Sequence, residues 1–131
     1  MPSSKRSSQP SKTRTPKQLA ASSEAWTRHL TEVECSRRGW ETYDPTFYGY
    51  KSKRERFPRR YDLFGFVDLL AVGPQGKLYG IQFTSNANMA ARVKKAAGHE
   101  NLAFVRKAGI EILVWGWRVK GSEPVLREAV V

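Results

Sequence analysis

Two short segments carry residues that could do phosphate chemistry. "FGFVDLLAV" (64–72) sets Asp68 inside an apolar run, and "GIQFTS" (80–85) sets Gln82 and Thr84 inside another. A second acid, Glu34, lies four residues after Leu30 and beside Val33, at the margin of an apolar helical stripe. An ionised carboxylate in a buried strand is strongly destabilising unless something pairs with it. For Asp68 that partner can be a Mg²⁺-type cation, a nearby arginine or lysine, or the amides of a helix end. Carboxylate and amide oxygens, with water, are hard ligands that suit Mg²⁺. The plainer reading is a carboxylate that hydrogen-bonds a neighbouring loop.

Strand alternation groups these residues further. Phe66, Asp68, Leu70 and Val72 point one way, and Val67, Leu69 and Ala71 the other. Leu78, Gly80, Gln82 and Thr84 share a face of the next strand. Pairing Asp68 with Gln82 sets Leu70 opposite Gly80 and Phe66 opposite Thr84. Directly opposed residues lie about 4.5–5.5 Å apart on one face. A slip of one residue would put Ile81 opposite Asp68 and expose the aliphatic set, so the Asp68–Gln82 register is expected.

The elements that hold these residues follow from pattern. A helix is expected from about Pro16 or Lys17 to Arg38, with Trp26, Leu30, Val33 and Arg37 on its inner stripe and Gly39 as its stop. Trp40 to Tyr50 suits a short strand and a turn at Asp44-Pro45. Leu63 to Val72 reads as a buried strand, "GPQG" (73–76) as a turn, and Lys77 to Thr84 as the second arm of a hairpin. Asn86 is placed to cap a helix over 87 to about 97. Gly98 breaks that helix, and Ala108-Gly109 ends its continuation. "IEILVWGW" (110–117) is another buried strand, and 124–130 adds an edge. The second hairpin strand, the helix and the next strand make a βαβ unit with parallel strands. The expected fold class is α/β, a mixed β-sheet flanked by helices.

Residues 1–17 are rich in Ser, Thr, Lys, Arg and Pro and contain no acid, so they read as a disordered basic tail ahead of one domain over 18–131. The 131 residues carry a net charge of +11. That balance favours polyanionic partners, nucleic acid before an anionic membrane. "KSKRERFPRR" (51–60) holds six cations and one acid. Lys51, Lys53, Arg54, Arg56, Arg59 and Arg60 would neutralise phosphates without reading bases, and Arg92, Lys94 and Lys95 would extend the track along a helix. Phe47, Tyr48, Tyr50 and Phe57 lie among the loop cations, placed to stack on bases or to pack beneath the loop. Asp62, just before the hairpin, suits a pairing with Arg59 or Arg60 better than a ligand role. His29 and His99 have no ligand spacing. With Cys35 alone, neither an internal disulfide nor a Cys-rich zinc site can form, which fits a reducing compartment. No apolar run nears the roughly 18–20 residues that span a bilayer.

Asp late in one strand and a polar-x-polar triplet in the next, in the order helix, strand, hairpin, helix, strand, resemble the PD-(D/E)XK nuclease superfamily. "RRYDLFGFVDLLAV", "GIQFTSNANMAARVKK" and "ILVWGW" look like its phage and bacterial Holliday-junction-resolvase-like branch, over about residues 24–118. The resemblance implies a restriction-endonuclease-like core (αβββαβ). It implies a divalent-metal nuclease acting on DNA, branched DNA included, with Mg²⁺ or Mn²⁺. Asp68 takes the position of the metal-binding Asp, Gln82 that of the Glu, Thr84 that of the Lys, and Glu34 that of the helix Glu. Gln82 brings a carbonyl oxygen without charge, and Thr84 brings no positive charge. A DNA-binding module on the same fold, its site degraded, is therefore the alternative. Many resolvase-like members are dimers, which makes a homodimer an admissible assembly. The resemblance also implies the cytoplasm of a bacterium or of a phage-infected cell.

Overall fold

The computed structural model describes residues 24–50 and 52–131. The tail over 1–17, the start expected for the first helix and Lys51 lie outside the described residues. The chain runs α1 (Glu24–Arg37), β1 (Glu41–Tyr43), β2 (Phe47–Gly49), β3 (Arg59–Tyr61), β4 (Leu69–Val72) and β5 (Leu78–Ser85). A 3₁₀ turn (Asn86–Asn88) leads into α2 (Met89–Ala97), α3 (Leu102–Lys107), β6 (Ile110–Lys120) and β7 (Glu123–Val130). Five strands form one mixed sheet in the order β1-β4-β5-β6-β7, while β2 and β3 make a separate ribbon. β5 and β6 are parallel, and the other neighbours are antiparallel. The α/β fold with a mixed sheet between helices is therefore present, with the ribbon inserted after β1 and β7 added at the edge.

Two apolar cores flank the sheet. Leu69, Ala71, Ile81, Phe83, Leu113, Trp115 and Trp117 pack with Leu30 and Cys35 of α1 on one face. Val67, Ile110, Ile112 and Val114 pack with Met89, Ala96, Leu102 and Val105 of α2 and α3 on the other. β5 and β6 are covered on both sides, which explains their nearly continuous apolar sequence. Trp115 and Trp117 are core residues. Their indole N–H groups donate to Glu128 and to Thr31 Oγ1, so neither ring leaves a buried donor unpaired.

α1 ends as its sequence predicts. Gly39 takes φ +76°, and the N–H groups of Gly39 and Trp40 donate to the carbonyls of Ser36 and Cys35. That is the Schellman closure, which needs a residue free to enter the left-handed region. The inner stripe of α1 differs from expectation. Thr27, Leu30, Thr31 and Cys35 face the sheet, while Val33 and Arg37 are exposed. Two threonines can face inward because their hydroxyls are engaged: Thr27 Oγ1 donates to the Glu24 carbonyl, and Thr31 accepts from Trp117.

The strand expected over 63–72 is shorter. Phe64 and Gly65 adopt φ +55° and +88°, and Leu63 and Val67 bridge across the resulting turn. The turn moves Val67 onto the α2–α3 face, away from Leu69 and Ala71. There it occupies the space above Gly80, where an added Cβ would lie 3.1 Å from Val67 Cγ2 and 2.9 Å from Ile112 Cδ1. The cap expected at Asn86 is absent, and the chain enters the 3₁₀ turn from Ser85 without a side-chain cap.

Gly116 of β6 lies beside Thr84 and lets the start of α2 approach the sheet. A Cβ there would stand 2.8 Å from Met89 Sδ, 3.0 Å from Met89 Cβ and 3.2 Å from Asn86 Cα. Gly116→Ala should therefore cost about 1–3 kcal/mol of stability, as overpacking does. Urea unfolding of the two proteins measures it, and an unchanged midpoint would show that the helix start is not held there.

Candidate functional site

Asp68 stands at the point where β4 begins. Leu69 pairs with Ile81 and Leu70 with Gly80, the register expected for those residues. The ladder does not go on to an Asp68–Gln82 pair. Instead the Asp68 N–H donates to the Ile81 carbonyl at 3.0 Å, so Asp68 and Leu69 share one partner residue, the pattern of a β-bulge. The Phe83 N–H then donates to Asp68 Oδ2 at 3.1 Å. A side-chain oxygen replaces a main-chain acceptor at the end of the ladder. An aliphatic residue at position 68 could not accept this bond, which gives the carboxylate a structural reason to be there.

The other oxygen, Oδ1, lies 3.9 Å from Arg60 Nη2, too far for a hydrogen bond. Arg60 is held elsewhere. Its Nη1 donates to Glu24 Oε1 and Oε2 at 2.6 and 2.8 Å, and its Nε lies 3.5 Å from Asp62 Oδ1. One guanidinium thus gathers carboxylates from α1, from the end of β3 and from the start of β4. The pairing of Asp62 with Arg60 agrees with the sequence. Glu24 was not legible: 36 residues separate it from Arg60, and the sequence sets it inside the expected first helix with nothing that points to Arg60.

Asp68 is 5% exposed, and its burial pushes its pKa up to about 6. The Asp62 carboxylate adds to the rise, while the Phe83 N–H, Arg60 and Arg92 oppose it. Desolvation therefore outweighs the distant guanidinium. Gln82 is 1% exposed, and neither its Oε1 nor its Nε2 has a hydrogen-bond partner. It is the residue just before Phe83, whose N–H holds Asp68. Thr84, also buried, follows Phe83 and lies beside Gly116.

Glu34 does not share this environment. Its carboxylate accepts from Arg37 and Arg38, and Arg38 also donates to Glu128 and lies over the rings of Trp40 and Trp115. The Arg37 hydrogen bond, with help from Arg38, holds the Glu34 pKa below the usual carboxylate range. None of these partners is a partner of Asp68, so the expected helix Glu is committed to another cluster. Among the described residues, no three His, Cys, Asp or Glu side chains gather closely enough to hold a metal ion by themselves. Cys35 is buried and free, and its burial pushes the thiol pKa up to about 12, so it stays an unreactive thiol.

The expected cations divide into two groups. Arg59 pairs with Glu55, and Arg60 with Glu24. Lys53, Arg54 and Arg56 are exposed at the tip of the β2–β3 ribbon. Arg92, half-buried on α2, is near enough to act on Asp68, whereas Lys94 and Lys95 are exposed in the last turn of that helix. His99 packs against Phe66, and its Nδ1 accepts from the Asn101 N–H. No helix among the described residues is long and apolar enough to cross a membrane. Comparison with protein-family models, with curated proteins and with solved structures gives no match for this chain.

The folded pKa of Asp68 lies above its ordinary value of 3.8, so the protonated form fits the native protein better. Its favourable contribution is complete below about pH 4 and lost as pH rises through about 6. The loss amounts to about 3 kcal/mol by pH 8. Asp68→Asn, which keeps an acceptor for Phe83, should remove it. Denaturant midpoints of the two proteins from pH 4 to 8 should diverge, with the variant gaining relative stability as pH rises. Parallel curves would show that Asp68 titrates normally.

Proposed function

We propose that this chain is a divalent-metal-dependent DNA nuclease of the PD-(D/E)XK kind, hydrolysing phosphodiester bonds, branched DNA among its substrates. The observation that carries the reading is a buried carboxylate with one oxygen held by an amide and the other facing Arg60 at 3.9 Å without a hydrogen bond, together with a buried, unpartnered amide at Gln82 on the neighbouring hairpin strand. A three-carboxylate cage is not required, because Mg²⁺ keeps several waters and commonly takes one or two carboxylates plus substrate phosphate. Two oxygens could serve such an ion: Asp68 Oδ1 makes no hydrogen bond and meets Arg60 only at 3.9 Å, and Gln82 Oε1 has no partner, while Asp62 is a second acid acting on Asp68. These residues would hold Mg²⁺ or Mn²⁺, which when bound supplies Lewis-acid polarisation of the scissile phosphate and a water of lowered pKa.

The chain's own groups have separable roles. The Phe83 N–H fixes the orientation of Asp68. Burial strengthens any charge interaction that Asp68 makes. Arg60 is a resident counter-cation bound more closely to Glu24 than to Asp68, and it can meet a phosphate without leaving β3. Thr84 can hydrogen-bond a water but cannot supply a lysine's charge; Arg92 is the α2 cation whose field reaches Asp68.

A second reading, a DNA-binding module that does not cleave, is favoured by Thr84 at the Lys position, by the commitment of Glu34 to Arg37 and Arg38, and by Arg60 facing Asp68. Incubating supercoiled, branched and single-stranded DNA with the protein in Mg²⁺, Mn²⁺ or EDTA separates the two. Nuclease action predicts metal-dependent cutting that Asp68→Ala lowers roughly 100-fold or more. Binding by both proteins with no cutting by either would leave the module. Binding that barely weakens with salt would remove both, since phosphate contacts release counterions.

A further inference from the structure

The β2–β3 ribbon stands outside the five-stranded sheet. A two-stranded ribbon alone buries little and is marginal in water. This one nevertheless presents large rings to solvent: Tyr48 is 68%, Tyr50 60% and Phe57 74% exposed. Apolar rings displayed together on a small element mark an interaction surface. Lys53, Arg54 and Arg56 lie between Tyr50 and Phe57, and none of the three makes an ion pair among the described residues. The surface therefore suits a partner that offers both negative charge and flat apolar faces.

The register gives this surface a direction. Phe47 pairs with Tyr61, their rings stacked 5.2 Å apart, and Tyr48 pairs with Arg60. Directly opposed residues project to the same face of a ribbon. Tyr48 therefore flanks Arg60, whose guanidinium reaches to 3.9 Å from Asp68. An aromatic ring, a cation and the buried carboxylate thus follow one another from the ribbon toward the sheet.

Given the DNA reading above, on which this rests, we infer that the ribbon is a stacking surface for unpaired bases, and that Tyr48 holds a base next to the phosphate met by Arg60. In a continuous duplex each base is covered on both faces by its neighbours. A strand that is single, frayed or at a branch offers free faces. The substrate class is thus DNA with unpaired nucleotides in preference to uninterrupted duplex.

Fluorescence anisotropy of full-length protein in EDTA tests this apart from cleavage. The probes are a labelled single strand, a blunt duplex of equal length and vesicles of anionic phospholipid. The single strand should bind more tightly than the duplex at equal salt. Tyr48→Ala should weaken single-strand binding about 5- to 150-fold, the range for losing one stacked base, with little change on duplex. Tyr48→Trp should restore it. The exposed ring should not alter the melting temperature, and Tyr48→Ala should leave the salt slope unchanged, whereas Arg56→Gln should lower that slope by about one. Equal loss on both DNAs, no loss on either, or stronger binding to vesicles would overturn the inference. If the wild-type protein binds no DNA at all, the nuclease reading fails with it; ring-independent DNA binding sinks this inference alone.

Discussion

A hydrogen bond from a main-chain amide to a side-chain carboxylate joins the fold to the site. Where β4 runs out, Phe83 of β5 still presents an N–H group toward it, and Asp68 accepts. The bulge that shares Ile81 between Asp68 and Leu69 makes this geometry available. It depends in turn on the tight turn at Phe64-Gly65. That turn moves Val67 over Gly80, and the missing side chain at position 80 makes room for it. A short stretch of unusual backbone thus delivers a carboxylate to a buried place, leaving one of its oxygens without a hydrogen bond.

Charge at that place follows from burial and distance. Glu34 and Asp68 are both low in exposure and both near arginines, yet their pKa values move in opposite directions. Glu34 is hydrogen-bonded by two guanidinium groups, which favours its ionised form. Asp68 receives one amide bond and a guanidinium at 3.9 Å, and desolvation prevails. Arg60 is hydrogen-bonded to Glu24 and stands 3.9 Å from Asp68. The ribbon that displays Tyr48 also carries this arginine, so a phosphate engaging Arg60 would change the electrostatics of Asp68.

Much of the frame was legible because local chemistry decides it. Gly39 ends α1 by the closure its φ permits, "GPQG" turns the β4–β5 hairpin, and "IEILVWGW" reads as a strand covered on both faces. The anomaly of Asp68 between aliphatic residues was legible too, since a buried carboxylate always calls for a partner. Other features were set by tertiary packing. Strand alternation cannot foresee a bulge, so the Asp68–Gln82 pairing was expected and does not form, although Leu70 and Gly80 pair as expected. The α1 stripe was misassigned because Thr27 and Thr31 look like surface residues until a carbonyl and a tryptophan engage their hydroxyls. Glu24 entered the site through an ion pair that no spacing encodes.

The central claim is that Asp68 and Gln82 together offer oxygen ligands to a divalent cation. Heteronuclear NMR of the Asp68 carboxyl and the Gln82 side-chain amide, with and without Mn²⁺ and diamagnetic Mg²⁺, measures this directly. The account predicts a carboxyl that titrates near pH 6 without metal, titrates lower when Mg²⁺ is added, and broadens together with the Gln82 amide at low Mn²⁺. A carboxyl that titrates near its ordinary value and ignores both metals, beside an unbroadened Gln82 amide, would contradict it.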